Sequence, residues 1–363
     1  MNTVLQGILL AVIGVLLFGL IIFIHEFGHF FTAKLSGVRV NEFAIGMGPK
    51  LFSFTRGETL YALRLLPIGG YCAMEGEDEK SEDPHAFGNR PVWQRMIVVA
   101  AGGVMNILLA IVMMMILLGQ DSIFATTQIA KFAEGSMLEA AGVQVGDVVT
   151  SVNDYKIYTD QDLSFALSMA SLDITGETAS IDLEVRRDKE TIHFEDMAVN
   201  TAESSDGKRH IVLDFYVAGQ EKTVLTLLQK SLADTVSTVR MVYESLIGLV
   251  TGRFGFNEMA GPVGTAQAVT QVASAGLQSG FGDAVNNILY MMLIISVNLG
   301  IVNLLPFPAL DGGRLVFLLI EAIFRRPVPP RYERWVHAGG MIALLALMVV
   351  VTFNDIIRLV TGG

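Results

Sequence analysis

One cysteine, Cys72, is all that the 363 residues contain, so no internal disulfide can form and a cysteine-built metal cluster is excluded. Basic residues are also scarce. The 25 Lys and Arg stand against 36 Asp and Glu, a net charge of -11, and no basic patch is present to neutralise a phosphate backbone, which argues against a nucleic-acid partner. Histidine occurs six times. The most informative absence is local: from Val4 to Ile24 there is no charged side chain at all. A helix rises about 1.5 Å per residue, so such a run reaches across roughly 30 Å of hydrocarbon. It has neither a basic leading region nor a small-residue cleavage site, and reads as a retained span rather than a signal peptide.

What is present is apolar. A hydrophobic fraction of 52% exceeds that of ordinary soluble domains. Four stretches are candidate spans: Val4 to about Phe31, Met96 to Leu118, about Ile288 to Leu305, and about Ile342 to Phe353, the last extended by His337 to Met341. The third is interrupted by Asn298, Asn303 and Pro306, which is tolerated where a span is buried in protein or lines a wet cavity. The expected fold is a polytopic α-helical membrane protein of about four transmembrane helices. Lys34, Arg39, Lys50, Arg56, Arg64, Lys80, Arg90 and Arg95 lie between the first two spans, and Arg314, Arg325, Arg326, Arg331 and Arg334 between the last two. Both connections therefore belong in the cytoplasm, with the termini and the segment from about Gln120 to Asp283 on the other side.

That long segment changes character. Strand-like runs appear at Val148 to Val152, Ala179 to Val185 and Thr191 to Phe194, with a helical stretch from Thr159 to Ser171. Gly135 to Val149, ending in a Gly146-Asp147 turn before a strand, resembles the PDZ signature, with Asn153-Asp154 where that family usually has Asn-Gly. A PDZ-like α+β domain is expected over 120–205, binding extended peptides at a sheet edge or serving as a spacer over the membrane site. Residues 206–285 are expected to form an amphipathic helical segment: Glu221 to Val250 carries a broken apolar face and suits an interfacial helix or one packed on the inserted domain.

At the end of the first span stands His25-Glu26-Phe27-Gly28-His29, an HExxH motif. Residues four apart share a helix face, so His25 and His29 can grip one ion from successive turns, while Glu26 points to one side and can reach an attacking water. Imidazoles and a carboxylate at the end of an apolar span are expensive to desolvate, which makes a functional site the default reading. A catalytic zinc site takes three protein ligands and keeps one position open. His85, His193 and His210 fall in soluble stretches and His337 begins the last span. Asp311, which follows the third span at the same cytoplasmic depth, is the better third ligand; its competing role is a helix N-cap.

HExxH in the first span with Asn303-Leu304-Leu305-Pro306-Phe307-Pro308-Ala309-Leu310-Asp311-Gly312 after a later one resembles the site-2 protease family of intramembrane metalloproteases, specifically its bacterial regulator-of-sigma-E branch. Phe87 to Arg95 and Gly261-Pro262-Val263-Gly264 extend the likeness to nearly the whole chain. The resemblance implies that His25, His29 and Asp311 bind Zn2+, that Glu26 is the catalytic base, and that Asn303 and Pro308 hold the substrate near the metal. It implies substrates that are single-pass transmembrane proteins or peptides, and a place in the bacterial plasma membrane with the site near the cytoplasmic face. Two departures stand out: Ala101-Gly102-Gly103 replaces a common Ala-Gly-Pro, and one PDZ-like signature is present where some members have two.

Residues 40–71 read as a β-hairpin turned by glycines, with a polar reversal at Thr55 to Thr59. The resemblance implies that it is a membrane re-entrant element, on which Leu60 to Leu65 would offer a strand edge to an unwound substrate. A plain cytoplasmic hairpin is the alternative. A metal transporter would also account for polar groups in spans, but gives no role to Glu26 or to a PDZ-like domain.

Overall fold

The computed structural model describes residues 3–361 except 78, 173, 175, 205, 206, 208 and 256–258. From the amino end run α1 (Thr3–Leu35), the long strands β1 (Val40–Arg56) and β2 (Thr59–Met74), a 3-10 turn at Phe87–Asn89 and α2 (Val92–Leu118). Shorter elements follow: β3 (Ile123–Phe132), α3 (Met137–Ala140), β4 (Val148–Val152), β5 (Tyr155–Lys156), α4 (Asp160–Ala170), β6 (Thr178–Arg187), β7 (Glu190–Glu203), β8 (Arg209–Ile211) and β9 (Phe215–Glu221). Helices complete the chain: α5 (Val224–Val250), α6 (Pro262–Ser279), α7 (Phe281–Leu304), α8 (Asp311–Phe324) and α9 (Pro330–Thr361). Residues 1–113 with 242–363 form one compact unit and residues 114–241 another.

Among the described residues, four helices are long and apolar enough to cross a membrane, over Leu5–Leu35, Val92–Leu118, Phe281–Leu304 and Arg331–Thr361. Their outward faces carry Leu5, Ile8, Val12, Leu16, Ile342 and Val349, all well exposed, as a helix bathed in lipid requires. The third was expected to be interrupted at Asn298 and Asn303. Instead α7 continues through both and stops just before Pro306, whose ring lacks a donor and clashes with the preceding turn. The fourth is far longer than its apolar run of 342–353, because α9 continues into charged ends. Ahead of α7, α6 begins at Pro262 with its first amides taken by a buried acid of α9: Asp355 accepts from Gly264 N at 2.7 Å and Gly261 N at 3.3 Å.

The hairpin is more folded than its sequence suggests. Residues 52–56 pair with 59–63 around the turn at Gly57, yet 42–45 also run beside 60–63, and 40–45 pair with 70–74. Each long strand therefore bends and supplies two legs. The bends fall near Gly46 and Gly69, whose positive φ of 81° and 79° suits glycine. Leu60–Leu63 are paired on both sides, so over these four residues the free edge expected at Leu60 to Leu65 is not there. Among the described residues, the leg with one partner on the α1 side is 70–74: a Cβ added at Gly70 would lie 3.0 Å from Glu26 Cγ.

The second unit is a sheet in the order β8-β7-β6-β4-β3-β9, with β5 beside β4, and α4 packed on it. Inward residues of alternate strand positions, among them Ile129, Val149, Leu183, Val185 and Val199, build its core with Leu163 and Leu167 of α4. The sheet corrects the boundary expected at 205, which itself falls on a residue outside those described. Residues 209–211 and 215–221, expected to open a helical segment, are strands that pair with β7 and β3. They are short, and the acid between them misleads: Asp214 is buried and accepts from the amides of Met137 and Leu138 at 2.7 and 3.2 Å, holding the start of α3. The first half of α5 packs on α4 through its polar residues, with Ser231, Asp234, Thr235, Ser237 and Thr238 all buried and Val224, Leu225 and Leu228 outward.

Candidate metal centre

His25 and His29 lie one turn apart on α1 and are nearly buried, 8% and 9% exposed, with Nε2 atoms 3.3 Å apart. The next helix makes room for them. A Cβ on Gly28 would stand 2.5 Å from the Ala101 carbonyl, so α1 and α2 touch backbone to backbone there. A Cβ on Gly102 would run into His29 Nε2 and His25 Cε1. Positions 98, 102 and 106 share one face of α2 at a spacing of four. Val98 receives His29 Nδ1 on its carbonyl at 2.9 Å, Gly102 leaves space for the rings, and the Asn106 amide meets His25 Nδ1 at 3.4 Å.

Asp311 arrives from the other end of the chain. After α7 stops, the loop 305–310 turns back into α8 through Ala309, whose φ of 76° is unusual for a residue with a side chain. Its amide donates to His337 Nδ1 of α9 at 2.9 Å, and a Cβ on Gly340 would collide with Pro308, so α9 clamps this loop. Asp311 is the first residue of α8 and the cap position belongs to Leu310, which makes no side-chain cap. Instead of capping, the carboxylate turns to the histidines: Oδ2 stands 3.3 Å from His25 Nε2 and 3.3 Å from His29 Nε2.

The three atoms form a triangle of equal sides. A tetrahedral metal with bonds of about 2.0 Å requires ligand atoms about 3.3 Å apart. Hydrogen bonding does not account for the triangle, because Asp311 Oδ2 is buried and makes no hydrogen bond. Donor set, spacing and orphaned oxygen all fit a zinc ion.

Glu26 sits on the neighbouring face of α1, against Gly70 of the hairpin and within the electrostatic field of both histidines and Asp311. Asn303, in the last turn of α7, brings Nδ2 to 3.4 Å from His25 Nε2. Pro308 lies instead against Gly313 and Gly340. Of the remaining histidines, His193 pairs with Glu184 in the other unit at 3.5 Å and His337 serves Ala309. Val98, Gly102, Asn106 and His337 were not singled out as site residues from sequence. The Ala101-Gly102-Gly103 run, flagged for its missing proline, was the one available signal, because a glycine pair in an apolar helix marks close approach.

Comparison with known proteins supplies the family. The profile of peptidase family M50 matches residues 13–347. A Clostridium perfringens protein that carries the name of a zinc metalloprotease is 35% identical over 347 residues, covering 95% of this chain and 98% of its own. The regulator of sigma-W protease RasP of Bacillus subtilis is 31% identical, with 95% and 97% covered, and the zinc metalloprotease RasP of Bacillus licheniformis is 31% identical, with 99% and 100% covered. The chain therefore belongs to peptidase family M50, the site-2 proteases, and is a metalloprotease held in the membrane by several apolar helices.

Proposed function

We propose that this protein is an intramembrane zinc metalloprotease that hydrolyses peptide bonds in or near the transmembrane segments of single-pass membrane proteins and peptides, such as anti-sigma factors or signal-peptide remnants. The observation that carries the reading is the triangle of His25 Nε2, His29 Nε2 and Asp311 Oδ2, 3.3 Å on each side, at the end of an apolar span. These three hold the zinc. When bound, zinc supplies Lewis acidity to the scissile carbonyl and to the attacking water. Glu26 takes the water proton and delivers it to the leaving amine. Asn303 and Pro308 keep the substrate at the site, Asn303 through its amide and Pro308 through the shape of the loop it braces.

A transmembrane helix hides its peptide bonds in i→i+4 hydrogen bonds, so the substrate must arrive unwound. The 70–74 edge beside Glu26 offers backbone partners for the released groups in a membrane re-entrant hairpin. The sheet unit is PDZ-like. Its Gly146-Asp147 turn is locked by Arg187, which donates to Asp147 at 2.7 Å, and β8 is an end strand beside α4, the place where an extended peptide adds. The Lys and Arg distribution puts both termini and this unit outside a bacterial plasma membrane and the zinc near its cytoplasmic face.

Metal analysis of the purified chain tests the reading. About one zinc per chain is expected for a single three-ligand site, and Asp311→Asn should bind it much more weakly. Full zinc occupancy of the Asp311→Asn protein at limiting metal would remove that residue from the ligand set.

A further inference from the structure

The two histidines are secured unequally. His29 Nδ1 faces the Val98 carbonyl at 2.9 Å, a group that can only accept, so Nδ1 carries the hydrogen and Nε2 presents its lone pair to the metal site. His25 also turns Nε2 toward Asp311 and His29. For that nitrogen to bind a metal, the hydrogen must sit on Nδ1, and a buried Nδ1–H needs an acceptor. The side-chain group at His25 Nδ1 is the Asn106 amide, with Nδ2 at 3.4 Å. An amide nitrogen only donates, so this orientation suits the tautomer that cannot bind metal through Nε2. The other amide atom tells the same story: Asn106 is fully buried, and its Oδ1 has no hydrogen-bond partner.

One rotation resolves both. Turning the amide by half a turn about Cβ–Cγ exchanges oxygen and nitrogen and sets Oδ1 against the ring hydrogen. We infer that Asn106 is a positioning residue of the metal centre, accepting a hydrogen bond from His25 Nδ1–H through Oδ1 and so fixing the tautomer that leaves Nε2 free for zinc. The helix carrying it is held at this level: the Asn106 backbone carbonyl accepts from Ser296 Oγ of α7 at 2.8 Å. The face of α2 thus serves both rings, a carbonyl for His29 at position 98 and an amide oxygen for His25 at position 106, two turns apart. The inference rests on the zinc site proposed above.

The test uses the full chain in detergent, with zinc affinity measured by chelator competition and cobalt loaded as a spectroscopic probe. Asn106→Leu keeps the volume and removes the acceptor, and should weaken zinc binding about 10–100-fold with loss of the tetrahedral cobalt absorption. Asn106→Asp restores an acceptor and should bind zinc at least as tightly as the wild type. Wild-type affinity in Asn106→Leu, or equal loss in the Leu and Asp proteins, overturns the inference. If the Leu protein does not fold, Asn106→Ala carries the same expectation. A wild-type chain that takes up no zinc refutes the metal site itself, whatever the variants do.

Discussion

Two buried carboxylates, one in each unit, are built to opposite ends. Asp162 is wholly enclosed and saturated: one oxygen accepts from Tyr158 N, Thr159 N and Ser237 Oγ at 2.9, 3.1 and 2.8 Å, the other from Arg240 Nη1 at 3.1 Å. Asp311 has an oxygen equally hidden from solvent, 3.3 Å from two imidazole nitrogens, and bonded to neither. Burial of a charge is repaid only when its lone pairs are met. A finished network therefore reads as architecture, and an unfinished one as a place for something the chain itself does not supply. The hairpin repeats the contrast in backbone: Leu60–Leu63 are paired on both sides, whereas among the described residues 70–74 have a strand partner on one side only, with Gly70 next to Glu26.

The largest effect should come from separating chemistry from architecture within the unfinished site. Glu26→Gln keeps size and polarity but cannot accept a water proton, so cleavage should fall by at least about 10²–10⁴-fold. Zinc content and melting temperature should hold, since Glu26 lies outside the ligand triangle. Cleavage of a transmembrane reporter at near the wild-type rate would eliminate it as the base.

In the finished network the same kind of change should behave in reverse. Asp162→Ala strands the Tyr158 and Thr159 amides, breaks the capping box of α4 and leaves Arg240 without its buried partner, a loss of about 3–5 kcal/mol. Denaturant unfolding of the full chain, with hydrogen exchange at the β6 amides, should register it. Zinc per folded chain should not change. Zinc loss matching that of Asp311→Asn would erase the distinction between the two carboxylates.

Proline sharpens the backbone half of the contrast. Placed along 70–74, it removes one donor at a time, and only outward-facing donors serve a substrate strand. Cleavage should drop about tenfold at alternate positions, in line with one lost backbone hydrogen bond, with zinc retained. Proline within 60–63 should disrupt the doubly paired leg and cost folding. A scan of 70–74 with no alternation would favour a hairpin that merely covers the site.

How far these features could be read in advance depends on the range of the interaction behind them. HExxH is legible because a helix places positions four apart together, and Asp311 because it ends an apolar run at a matching depth. The strands at Val148–Val152 and Thr178–Arg187 follow from local alternation. Asn106 and His337 carry no such mark, and Gly102 only that of a glycine pair in an apolar helix: each matters through a partner at least 28 residues away, as in the bond from the Ala309 amide to His337. The hairpin edge was misplaced for a related reason. Period-two patterning says which face a residue takes, but bends near Gly46 and Gly69 decide which legs become neighbours. In β8 and β9, strands of three and seven residues are too brief to show a period at all.

The smallest effect lies in the turn that joins β4 to β5. Asn153 and Asp154 both adopt left-handed backbone, φ 45° and 66°, as a two-residue type I′ turn demands. Asn153 justifies its place: Oδ1 accepts from Asp182 N at 2.8 Å, and its own amide donates to Asp182 O at 2.9 Å. Asp154 is exposed and occupies the position that glycine favours. Asp154→Gly relieves the Cβ penalty but enlarges the freedom of the unfolded chain, so the net gain should be about 0.5 kcal/mol. Asn153→Gly, which gives up the bond to Asp182, should instead lose about 1 kcal/mol. Both are measured by the unfolding assay used for Asp162. A loss of stability in Asp154→Gly would show that the Asp154 side chain belongs to the finished part of the molecule, with a partner of its own.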